Sequence, residues 1–249
     1  MTRAAATRPA AVDSAAGWLN AYLKRSELPL HSLAFLLPAM VLFEIGTSLR
    51  PSDPIAFRML ELFFHQFGAP GRFIPFFFVT GILLVWHMVR KDPWKVHIET
   101  LWGMLFESCM LAIPLLALGT AVARWNIRVP LFANASPWLD NTVLSLGAGI
   151  YEEFVFRLVL MTLISLVLAD LLIVHKSLSN LLMVLSSAVL FSLYHYLGAE
   201  TFQLRSFTFR TIAGIYFAGL FLTRGFGVTA GCHIVYDITI VTLQAFAPH

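Results

Sequence analysis

Residues 147–161 read GAGIYEEFVFRLVLM, an apolar run broken by two adjacent glutamates and an arginine. The run lies inside a segment from about Asn141 to Ile173 that is long and apolar enough to cross a bilayer. On insertion scales each unpaired charge at mid-bilayer costs about 2.5–3.5 kcal/mol. Glu152, Glu153 and Arg157 together would therefore cost on the order of 8–10 kcal/mol, as much as the whole stability of a domain. At about 100° per residue, Glu153 and Arg157 fall roughly 40° apart, the spacing of an i, i+4 ion pair. Glu152 points roughly 140° away from Arg157. Its partner has to come from another segment.

The rest of the chain sets the context. Of 249 residues, 58% are hydrophobic and only 12% charged, and the mean hydropathy is +0.77, outside the range of a soluble domain. The composition predicts an all-α, polytopic transmembrane helical bundle with about seven to eight spans, each needing about 20 apolar residues. Seven are expected, at about 29–49, 73–89, 101–122, 141–173, 179–196, 207–222 and 227–246. Residues 54–68 alternate apolar and charged positions at helical spacing and predict an interfacial or re-entrant helix. Residues 1–28 form a tail with a short amphipathic helix near Trp18–Leu23 and lack the compact apolar core of a cleavable signal peptide. The polar connection 124–140, with Pro130, Pro137 and Asp140, divides membrane helices at 29–139 from a second half at 140–249.

Most of the 17 lysines and arginines fall between apolar segments, which fits loops at lipid headgroups and not nucleic-acid binding. Arg3, Arg8, Lys24, Arg25 and the run Arg90, Lys91 and Lys95 favour a cytoplasmic N-terminus, against the pull of Arg50, Arg58, Arg72, Arg124 and Arg128. Cys109 and Cys232 sit in apolar segments and are expected to pack as small hydrophobes rather than form a disulfide.

Two later spans offer partners for Glu152. The fifth contains FSLYHYLG, residues 191–198, with His195 one turn after Phe191; the seventh contains GCHIVYDI, residues 231–238, with His233 and Asp237 at i, i+4. A histidine in a membrane helix, or a His–Asp pair, is commonly a satisfied packing element. Adjacent glutamates are not, because a stable span gains nothing from a second unpaired acid. Elsewhere, Glu44 and Glu107 stand alone and read as structural or pore-facing. Glu61, His65 and His87 sit near expected interfaces and are given no catalytic part.

No HExxH helix, GxSxG elbow or Gly-rich phosphate loop occurs. A carboxylate with a histidine can orient and deprotonate water, and a second histidine with an acid beside it can donate to the oxyanion formed on a carbonyl. The set is sufficient for amide hydrolysis.

EExxxR at Glu152, Glu153 and Arg157, FxxxH at Phe191 and His195, and HxxxD at His233 and Asp237 resemble the three motifs of the CPBP family, which groups CAAX prenyl endopeptidases with bacteriocin-processing and immunity homologues. The resemblance covers residues 140 to about 245. It implies a glutamic-type intramembrane endopeptidase of the bacterial cell membrane, acting without a cofactor on a membrane-associated protein or peptide. Glu152 with His195 would activate water, while His233 and Asp237 would hold the oxyanion. Glu153 and Arg157 would be an orienting pair, with Glu153 also a candidate for the site, and Phe191 would pack behind the catalytic face. Prenyl-processing members have asparagine at the last position. Asp237, unless protonated, cannot donate a hydrogen bond, so its implied task is to keep His233 charged and aligned. The alternatives are a zinc-dependent protease using Glu152, His195, His233 and Asp237 as ligands, and a non-catalytic immunity or scaffold protein. A proton-coupled carrier would also bury acids and histidines, but no matching inverted half is present. Substrate identity and oligomeric state are left open by the sequence.

Overall fold

The structure, a computed structural model, describes residues 10–49, 53–68, 71–124, 138–198 and 200–246. Most of the polar connection expected at 124–140 lies outside these residues, as do Arg3, Arg8, Arg50 and Arg128. The described residues are helical, with no strand: α1 (Ala10–Ser26), α2 (Pro29–Leu49), α3 (Ile55–Gln66), α4 (Ile74–Arg90), α5 (Ile98–Arg124), α6 (Trp138–Glu153), α7 (Thr162–Ser165), α8 (Lys176–Tyr194) and α9 (Leu204–Ala245). Two π-helical stretches, Phe154–Met161 and Leu166–Leu171, flank α7, so 138–171 runs as one interrupted helix. Five stretches are long and apolar enough to cross a membrane: Pro29–Leu49, Ile98–Val122, Trp138–Leu171, Lys176–Leu197 and Leu204–Ala245. The 17-residue α4 is apolar but shorter.

The 42-residue α9 accounts for two of the expected spans. Gly225, at φ 76° and ψ −178°, breaks it in a conformation essentially only glycine adopts. The limbs 204–224 and 226–245 then fold back on one another. Phe209 meets Tyr236 with ring centroids 6.5 Å apart, and Phe217 stacks on His233 at 4.6 Å and 18°. Phe217 and His233 each stand eight residues from Gly225, as a hairpin turning there requires. With α9 so divided and α4 counted, the described residues hold seven apolar helical segments, as the hydropathy pattern predicts.

The glycines in GAGIYEE set how closely the helices approach. A Cβ at Gly149 would stand 2.8 Å from the backbone nitrogen of Ile234 and 3.2 Å from the carbonyl oxygen of Ala230. α6 therefore meets the second limb of α9 at backbone contact, the use small residues have in membrane bundles. On its other side α6 packs Tyr151 edge-on against Phe43 of α2 and Phe57 of α3, with centroids 5.1–5.4 Å apart. Such pairs contribute about 0.5–1.5 kcal/mol each beyond their buried area. α3 buries Ala56 and Phe57 while Met59, Leu62, Phe63 and Phe67 are exposed, the one-sided pattern expected of an interfacial or re-entrant helix.

Three expectations about isolated polar residues are corrected. Glu107 is not alone: Arg224, next to the hairpin break, reaches it with Nε at 2.5 Å and Nη2 at 2.9 Å, and the Tyr22 hydroxyl donates to it as well. Arg224 also donates to Ser26 Oγ at 2.9 Å, tying α1 to the apex of the hairpin. Glu44 accepts from the Tyr151 hydroxyl at 3.1 Å. His87 is fully buried beneath Trp94 rather than solvated at an interface. Partners 107 and 117 residues away in the chain leave no local spacing by which to anticipate them.

Candidate active site

Glu152 and Glu153 are the second-to-last and last residues of regular α-helix before the π-helical stretch begins. π-Helical insertions re-aim side chains and recur at functional sites. Both glutamates are buried, and Glu153 and Arg157 are wholly inaccessible. Arg157 Nε lies 3.1 Å from Glu153 Oε2, the ion pair expected from the spacing. The guanidinium is also packed 4.5 Å from the centroid of the Phe191 ring, and its Nη2 approaches the carbonyl of Gly214 at 3.4 Å. Phe191 thus packs behind the site, as expected, and does so against the arginine.

Glu153 does more than pair with Arg157. Its Oε1 lies 2.8 Å from His233 Nδ1. A carboxylate held by Arg157 is an acceptor, so Nδ1 carries the hydrogen and Nε2 is turned away from Glu153 toward the cavity. The face of the His233 ring is covered by Phe217. Asp237 Oδ2 stands 3.5 Å from His233 Nε2, so the close contact that aligns the imidazole is made by Glu153 and the second acid flanks the other nitrogen.

His195 begins a single 3₁₀ turn at the end of α8. Its Nδ1 is 2.8 Å from the carbonyl oxygen of Phe191. A carbonyl only accepts, so Nδ1 is the donor and Nε2 of the neutral ring presents a lone pair. That nitrogen lies 3.9 Å from Glu152 Oε2, and His233 Nε2 lies 3.9 Å from the same oxygen. The other oxygen, Oε1, accepts from the Tyr194 hydroxyl at 2.6 Å.

These side chains line a cavity of about 320 Å³ bounded by α6, α8 and both limbs of α9. Asp53, Pro54 and Ile55, at the start of α3, close one wall, and the partly buried pair of Arg210 with Glu200 closes another. That pair is bidentate, at 2.8 and 2.9 Å. The structure brings together all seven residues singled out from the sequence. It adds Tyr194, Phe217 and the Asp53–Ile55 wall. Tyr194 is the residue before His195, and a buried phenol beside a candidate base was the available signal. The wall comes from the half of the chain without a motif.

Residues 134–239, which contain Glu152, Glu153, Arg157, Phe191, Tyr194, His195, His233 and Asp237, match the family described as type II CAAX prenyl endopeptidase Rce1-like. The similarity is to this segment of the chain. The match agrees with the CPBP resemblance of the three motifs and, with the apolar helices, marks an integral membrane protein with a protease-type function. The Rce1-like segment is less than half of the chain, and α1 to α5 lie outside it. No curated protein and no solved structure matches the chain.

Proposed function

We propose that the protein is a glutamic-type intramembrane endopeptidase that cuts a membrane-associated protein or peptide. The observation that carries this reading is the convergence of His195 Nε2 and His233 Nε2 on one oxygen of Glu152, each at 3.9 Å. The gap is too long for a direct hydrogen bond and suits a single water bridging the groups. Glu152 and the Nε2 lone pair of His195 take a proton from that water as its oxygen attacks the scissile carbonyl carbon. The carbonyl oxygen becomes the oxyanion and accepts from His233, which in its doubly protonated form donates through Nε2 while Glu153 holds Nδ1. The proton then passes to the amide nitrogen, the C–N bond breaks, and an amine and a carboxylic acid leave. Asp237, beside His233 Nε2, favours the protonated ring.

A comparison of wild type with Glu152→Ala tests this reading. Membrane peptides from cells expressing each protein are compared by mass spectrometry after checking that both proteins fold. Cleaved fragments are expected only with the wild type; identical peptide profiles would end the proposal and favour a non-catalytic immunity or scaffold role.

The proposed reaction uses no metal ion. The inner oxygens of Glu152 and Glu153 are taken by Tyr194 and His233. Elemental analysis of the purified active protein is expected to find zinc far below one atom per chain, with activity retained in chelator. Stoichiometric zinc that leaves together with activity would replace this reading by the metalloprotease.

A further inference from the structure

We propose that Tyr194 is a positioning residue that holds the Glu152 carboxylate in the orientation from which it activates water. The inference rests on the endopeptidase reading and adds a residue that the FxxxH pattern leaves unspecified. Its basis is the division of labour between the two oxygens of Glu152. Oε1 is fixed by the Tyr194 hydroxyl at 2.6 Å, and only Oε2 faces His195 and His233. A glutamate has three rotatable side-chain torsions, and both imidazoles lie less than about 1 Å beyond hydrogen-bond range. Without the phenol, the carboxylate is free to swing onto one ring and close the space in which water must sit. Tyr194 opposes that collapse by anchoring the far oxygen.

The tyrosine is itself held. It is buried, and its ring packs against Phe156 with centroids 5.0 Å apart and against His195 at 4.6 Å. Tyr194 and Ile55, in the first turn of α3, line the same cavity, so an element outside the matched segment lies beside the tyrosine. Tyr194 also lines an apolar groove of about 440 Å³ with Met59, Val159 and Leu193, so its ring separates that groove from the catalytic cavity.

The test is Tyr194→Phe assayed on a cleaved membrane peptide beside wild type, Glu152→Gln and the double variant. Phenylalanine keeps the ring between groove and cavity and removes only the hydroxyl. The expected result is a fall in kcat of about 10- to 100-fold with KM within about twofold, and no further loss when Tyr194→Phe is added to Glu152→Gln. Unchanged kcat, a change confined to KM, or an independent loss in the double variant would each overturn the assignment. Should Tyr194→Phe fail to accumulate, 3-fluorotyrosine at 194 alters only the hydroxyl's strength as a donor. A changed kcat at constant KM then supports the proposal, and an unchanged kcat rejects it. Absence of cleavage by the wild type would instead refute the endopeptidase reading, so the two failures are distinguishable.

Discussion

His195→Gln is expected to lower the rate of peptide cleavage by about 10²–10⁴-fold, the usual contribution of a positioned general base, while the protein stays folded. The imidazole is at the edge of the bundle, its side chain 20% exposed, and its one hydrogen bond is to the carbonyl of Phe191 in its own helix. Losing such a bond costs about 1 kcal/mol, too little to unfold a helix that buries Phe191 and Tyr194 nearby. Glutamine retains polarity and reach and cannot take up a proton. The measurement is a rate with purified enzyme beside a thermal melt in the same detergent. A rate within tenfold of wild type would remove His195 from the proton-transfer step and leave Glu152 to act alone.

Arg157→Met should do the opposite, costing about 3–5 kcal/mol of stability, the range found when one partner is removed from a buried ion pair. Methionine fills much of the space over Phe191 and supplies no charge. Glu153, with no access to solvent, would be left with His233 alone. Since Glu153 also aligns His233, whatever folded protein remains is expected to be impaired in turnover. Denaturation in detergent followed by loss of helicity checks the first part. A cost below about 1 kcal/mol, against the 3–5 expected of a broken buried pair, would mean that Glu153 is neutral in the folded protein.

The two variants mark the boundary of what local spacing carries. Glu153 with Arg157, and His233 with Asp237, are readable because one helical turn separates partners and the geometry is intrinsic to the element. The number of apolar segments is readable for a similar reason, since bilayer thickness imposes a length. The contact of Glu153 with His233 is different. It depends on the register between α6 and the second limb of α9, which is set by Gly149 lying against Ile234 and Ala230. That register is a property of the packed bundle, and nothing in a single helix encodes it. The same holds for Glu107 with Arg224 and for the first turn of α3 against Tyr194: each joins segments whose adjacency exists only after the bundle closes. His87 departs from its expected solvation because proximity to the end of an apolar run does not secure contact with water: Trp94 packs edge-on against its ring.

The ion pair across α6 and α9 bears on biosynthesis. Glu153 and His233 are separated by 80 residues, so when the ribosome completes 147–161 the imidazole that meets the glutamate has yet to be translated. A nascent segment carrying this charge gains little by partitioning into lipid on its own, with Arg157 as its sole counterion. The buried polar set of the C-terminal half is therefore completed only once the second limb of α9 exists to supply the imidazole, 80 residues after the glutamate.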